Sequence, residues 1–270
     1  IDNFLADSVA EMVRTREFTD VARLRAVILS RQGKGKQYVQ QYSASALKHL
    51  TSGLQAALTL PDEFRRPVTV NLLILIDGMA DLKLLELPVA MLRSENPIVR
   101  YWAVHGLTNA QIIVKLNAGG PGTSQMMGAI AKKLSGLVAR SDPATLALMT
   151  KFAGGVKAGE GEELLLQIAD FRIKQYMAWK VKYELLDASV LKMLAQRMPS
   201  GSARTSAVAL VAERTAELDR RNIRSLKDSV YEHCIDALEN PGEGVNPYLV
   251  DIAINRLDES GGYWDERRVP

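Results

Sequence analysis

Apolar residues recur at three- and four-residue spacing through most of this chain. Leu47, Leu50, Leu54, Ala57 and Leu58 form one such stripe, and Val208, Val211, Ala212 and Leu218 form part of another. This is the pattern of a helix with one face turned to a core. Glycine and proline clusters at 33–35, 61–67, 88–97, 119–122, 154–161, 199–201, 241–247 and 261–262 divide the pattern. The segments between them are one or two helix lengths long.

Helix-start signals sit where this division needs them. Ser141-Asp142-Pro143, Asn96-Pro97 and Asn246-Pro247 each place a capping side chain before a proline in the first turn. Glu160, Glu162 and Glu163 put negative charge at the start of the next helix, where its dipole favours it. The run from Glu162 to Met198 is too long for an ordinary single helix, and Asp187-Ala188-Ser189 predicts a bend or break inside it. Residues 68–76, VTVNLLILI, suit a buried strand as well as a buried helix by periodicity alone. No partner strand is evident and the neighbours are helical, so a buried helix is expected.

Residues 96–107, NPIVRYWAVHGL, match residues 246–257, NPYLVDIAINRL. Both carry Asn-Pro, then an apolar residue, an Ala, a β-branched residue and a Leu at the same offsets. A fainter copy begins at Pro61-Asp62, with Phe64, Arg65, Val68 and Leu72 in the corresponding places. Asn caps a helix, Pro starts it, and the small Ala lets a second helix come close. One hairpin cannot bury its apolar face alone, so such units stack. The string from Asn96 to Leu107, with Pro88 ahead of it, resembles the second-helix signature of HEAT-like repeats, including the type named after phycobilisome lyases. The resemblance covers residues 61–116 and, less fully, 241–258, where Val250 stands in the usual Arg position. It implies an all-α fold, an α-α superhelix of about six stacked hairpins. The expected organisation is a single α-solenoid domain over 1–258 with a C-terminal tail over 259–270.

Composition narrows the classes. Hydrophobic residues make up 47% and charged residues 24%, and the formal net charge is +3. That describes a folded chain rather than a disordered one, and so even a balance makes nucleic acid an unlikely partner. The one cysteine, Cys234, rules out an intramolecular disulfide and a cysteine-rich metal site. The longest strongly apolar stretch, Leu72 to Ile76, stops at Asp77, so no transmembrane segment is expected. The chain is expected to be soluble, in the cytoplasm or exported after loss of a signal ahead of Ile1.

Candidate chemistry is sparse. The Gly-rich stretch 117–124, NAGGPGTS, precedes a helix, but Gly122 stands where a phosphate-binding loop needs a lysine. A loop insertion between repeats explains it. His49, His105 and His233 have no paired-ligand spacing, so no metal or cofactor is expected. Asp77 and Asp81 share a face if one helix carries both, which permits acid–base work in a cleft. Charged residues at that spacing more often line a solvated face. Tyr176, Trp179 and Tyr183 fall at helical spacing among apolar residues, either as core or as an aromatic groove. They are the candidate binding residues, and no catalytic residue is assigned. Residues 172–227 are locally basic. HEAT-like DNA glycosylases hold DNA on a basic face, but Glu213, Glu217 and Asp219 interrupt this one.

The expected function is therefore a non-catalytic scaffold for a protein or peptide partner, by analogy of fold. The alternatives are a nucleic-acid-binding or glycosylase-type protein using 172–227, and an enzyme with carboxylates in a cleft.

Overall fold

The computed structural model describes residues 1–177, 183 and 185–197. The second Asn-Pro copy with Ala253, the tail and the basic residues beyond 197 lie outside the described residues. The chain divides into two compact units, Ile1–Ile168 and Ala169–Pro270, where the sequence suggests one domain over 1–258. The division falls inside a helix, which no glycine or proline cluster marks.

The described elements are all helical. In the first unit they are α1 (Asp2–Arg14), α2 (Phe18–Ser30), α3 (Lys36–Leu58), α4 (Asp62–Met79), a 3-10 turn Leu82–Leu84, and α5 (Glu86–Met91). There follow α6 (Pro97–Thr108), α7 (Ala110–Asn117), α8 (Thr123–Ser135), a 3-10 turn Val138–Arg140, and α9 (Pro143–Gly155). α10 (Gly159–Met177) runs through the division, and α11 (Leu185–Arg197) lies in the second unit.

The start signals work as the sequence suggests. Asn96 Oδ1 accepts from the amides of Ile98 and Val99 at 3.0 and 3.3 Å. Asp142 Oδ1 accepts from Thr145 N at 2.9 Å, and Thr145 Oγ1 donates back to Oδ2 at 3.0 Å. Each bond satisfies an amide that the first helical turn leaves open. Residues 68–76 are helical, within α4. Val68, Leu72, Leu73, Leu75 and Ile76 are all buried, on a face about 160° wide at 3.6 residues per turn, and the apolar, half-buried Val70 and Ile74 outside that face blur the stripe in the sequence. Pro67 sits inside α4 without an amide to donate. Asn71 Nδ2 donates to the Pro67 carbonyl at 2.8 Å, and Arg25 Nη1 donates to Asn71 Oδ1 at 2.6 Å, which ties α2 to the same place.

The packing is a succession. α1 lies on α3, α3 on α4, α4 on α6, and α6 on α9. α3 and α4 form one hairpin, α5 and α6 another. At its edge, Asp2 accepts from Ser45 and Lys48 at 3.0 Å and pairs with His49 Nε2 at 2.8 Å. The His49 bond first, then those of Lys48 and Ser45, hold the Asp2 carboxyl well below its ordinary range. α6 packs on α4, α5, α7 and α9. Ala103 on it is fully buried. A methyl group added at Gly106 would meet Asp77 Cβ on α4 and Pro88 Cβ on α5, each at 3.9 Å, an ordinary contact.

In the second unit the long run does break, at Tyr183, four residues before the Asp187 cap signal. α10 is described as far as Met177 and α11 from Leu185. Asp187 lies in the first turn of α11, and its carboxylate is fully buried against Arg172 of α10. Arg172 Nε donates to Oδ1 at 2.6 Å and Nη2 to Oδ2 at 2.9 Å. Nη1 donates to Gln175 Oε1 at 2.7 Å, and Nη2 reaches the Tyr183 carbonyl at 3.4 Å. Tyr183 has a positive φ of 68°, the conformation of a sharp corner.

Two stability outcomes follow. Ala103→Leu forces three extra carbons into a closed contact and is expected to cost about 1–3 kcal/mol. Gly106→Ala makes ordinary contacts with Asp77 and Pro88 and removes a flexible residue from a helix, so it is expected to gain about 0.5–1 kcal/mol. Urea unfolding of both variants checks the pair. Asp187→Ala removes the carboxylate that takes two hydrogen bonds from the buried Arg172 guanidinium and is expected to cost about 3–5 kcal/mol, whereas Arg172→Met with Asp187→Leu recovers most of that loss. Thermal unfolding of the single and double variants reads the difference.

Candidate functional site

The sequence candidates separate in space. Asp77 and Asp81 do not share a helix face, because α4 ends between them. Its cap is Ala80, in the left-handed conformation at φ 47°. The carbonyls freed at this end are taken by side chains from elsewhere, Lys115 Nζ on Ala80 O at 2.5 Å and Gln32 Nε2 on Met79 O at 3.1 Å. Asp81 caps the 3-10 turn, accepting from Lys83 N at 3.0 Å and from the Ser43 hydroxyl. Asp77 turns to α6 and its end. Asn109 Nδ2 donates to Asp77 Oδ1 at 2.8 Å. His105 Nδ1 lies 3.0 Å from the same oxygen, without the alignment of a hydrogen bond. This pair is ionic when His105 is protonated. The two aspartates thus hold separate joints, and the structure does not bring them together as an acid–base couple.

Of the three candidate aromatic residues, Trp179 and the side chain of Tyr176 lie outside the described residues. The Tyr183 ring is exposed at the α10–α11 corner, and it is the Tyr183 backbone carbonyl that Arg172 engages. In the Gly-rich connection, Gly119, Gly120 and Gly122 all have positive φ. The connection is fastened by Asn117, which donates to Gly155 O at 2.6 Å and accepts from Lys157 N at 3.2 Å. Among the described residues no group of His, Cys, Asp and Glu side chains is placed to hold a metal ion, and no helix is long and apolar enough to cross a membrane.

What the sequence did not single out is an open cleft of about 540 Å³ between the α3/α4 and α5/α6 hairpins. Leu58, Ala90, Met91 and Val99 give it an apolar floor, and Arg65, Arg66, Arg93 and Glu95 stand around it. A second cleft of about 440 Å³ adjoins it, sharing Ala90 and Arg93 and adding Leu92, Leu137, Lys133 and Arg140. Thr69 also lines the first cleft. Its residue is 1% exposed, and its hydroxyl has no hydrogen-bond partner. A threonine in the middle of an apolar helix usually bonds the carbonyl four residues back, so an unspent hydroxyl here is unusual. The available signal was the polar interruption at Thr69 in an otherwise apolar run. The cations give no such signal, because they are scattered from residue 65 to residue 140.

Thr69→Val keeps the shape and removes a buried group that has no partner. It is expected to raise stability by about 1 kcal/mol, measured as a rise in the urea midpoint.

No family model matches the chain, and no curated protein matches it. Among solved structures it is similar to an engineered protein whose crystal structure was determined by the Northeast Structural Genomics Consortium. The two share 16% identity over 83% of this chain and 97% of that one, with a TM-score of 0.46.

Proposed function

We propose that the first unit is a HEAT-like stack of helical hairpins that serves as a non-catalytic docking module for a protein or peptide partner. The contacts of α4 with α6 and of α6 with α9 support the repeat reading, with α4, α6 and α9 as the second helices of successive hairpins. α6 and α9 both open on a capping side chain followed by proline, as that reading requires. A stack of this kind offers a surface that no single hairpin has.

The observation that carries the docking role is the cleft between the α3/α4 and α5/α6 hairpins. Apolar side chains line it together with charged ones, and it is open to solvent. Extended polypeptide suits such a trough, with side chains on the floor and polar groups at the rim. Ala90 is exposed and lines both adjoining clefts, so a bulky residue there blocks the trough without disturbing the core. The full chain, applied to an array of random-sequence peptides, is expected to bind a discrete subset. Ala90→Trp is expected to abolish that binding with its melting temperature unchanged. Binding to no peptide, or binding indifferent to Ala90→Trp, overturns the docking role of this trough.

A further inference from the structure

Charge is unevenly spent along the two clefts that meet at Ala90 and Arg93. Five cations stand on them, Arg65, Arg66, Arg93, Lys133 and Arg140, against two carboxylates, Asp62 and Glu95. Arg65 and Asp62 are occupied with each other at 2.9 Å, and Arg65 also donates twice to the Leu60 carbonyl. No hydrogen bond or ion pair among the described residues engages the side chains of Arg66, Arg93, Lys133 or Arg140, and all four are exposed.

Solvated lysines and arginines are common, and a cation near a helix C-terminus, such as Lys133 in the last turn of α8, is at home there. Two features exceed that explanation. The four free cations come from α4, the turn after α5, α8 and the 3-10 turn Val138–Arg140, yet they converge on two clefts that meet at Ala90 and Arg93. The floor between them is apolar, with Leu58, Met91 and Val99 on one side of Ala90 and Leu92 and Leu137 on the other.

We infer that this trough binds an acidic peptide segment in which carboxylates alternate with apolar side chains. The inference rests on the docking role proposed above and names its partner class. A guanidinium grips a carboxylate through two parallel hydrogen bonds; Arg66, Arg93 and Arg140 supply such grips along the trough, and Lys133 adds a point charge. The apolar floor receives the side chains between them. A nucleic-acid strand fits less well. No aromatic ring lines either cleft among the described residues, so bases have nothing to stack on. Glu95 stands at the rim, where a continuous run of phosphates meets its charge.

The test uses the full chain and three variants on the random-sequence peptide array. Individual affinities are then read by fluorescence anisotropy with a labelled peptide of alternating glutamate and leucine. Wild type is expected to select acidic, apolar-rich peptides and to bind the Glu–Leu peptide in a salt-sensitive way. Arg66→Glu with Arg93→Glu is expected to weaken it by about tenfold or more, and the milder Arg66→Gln with Arg93→Gln to weaken it in the same direction. Circular dichroism establishes that each variant is folded. Selection of neutral or basic peptides overturns the inference, as does affinity unchanged in both arginine pairs. If Ala90→Trp still abolishes binding in that case, the docking role stands and only the partner class falls. Binding of no peptide overturns both. A single-stranded oligonucleotide that binds more tightly than the Glu–Leu peptide, and is lost with the arginine pair, assigns the trough to nucleic acid and also overturns the inference.

Discussion

α6 touches four other helices, and it can do so because the residues it presents at the closest approaches are no larger than a methyl group. Ala103 is fully buried, and Gly106 leaves room for α4 and α5. Interiors are packed as densely as organic crystals, so the separation of two helices is set by the side chains between them. A residue larger than alanine at either position crowds the neighbouring helices. The cleft between the α3/α4 and α5/α6 hairpins is bounded by α4 and α6. Its width is therefore a property of the core beneath it, and the surface residues only decorate a trough whose walls the core has spaced.

Polar side chains fix the joints that apolar packing leaves loose. Asp77, Asp81, Gln32, Lys115, Asn109 and Asn117 each make bonds across more than thirty residues of sequence or cap a neighbouring turn. Most gather where a helix ends, because that is where backbone carbonyls and amides lack partners. Arg172 and Asp187 do the same at the α10–α11 corner, but fully buried. Two charges removed from water attract strongly only when both are present and aligned. The corner is thus specified by chemistry where the first unit is specified by shape.

The helices were legible because their signals are local. Asn96-Pro97 and Asp142-Pro143 announce α6 and α9, and each cap forms from residues within three positions of each other. The break between α10 and α11 was legible too, although Asp187 marks it as the partner of Arg172 rather than as a cap. The trough was not legible. Arg66, Arg93, Lys133 and Arg140 are apart in sequence and meet only through the packing of α4, α5 and α8, which no spacing rule encodes. The pairing of Asp77 with Asp81 looked plausible only while one helix was assumed to carry both. The left-handed Ala80 that separates them carries no glycine signal, since the turn is held by Lys115 and Gln32 from outside. The Thr69 interruption was visible in the sequence, but its missing partner is a fact of three dimensions.

The connection between α7 and α8 has a different consequence. Nothing lies within 4 Å of a Cβ built at Gly119 or Gly122, and the fastening to α9 is done by Asn117, at the end of α7. The glycines therefore span a gap without bearing load. A foreign sequence spliced between them costs chiefly the entropy of closing a longer loop, which grows only with the logarithm of its length. That makes this connection the natural seat for a fluorophore or an affinity handle, attached where it reports on the first unit and touches none of the residues that line its clefts.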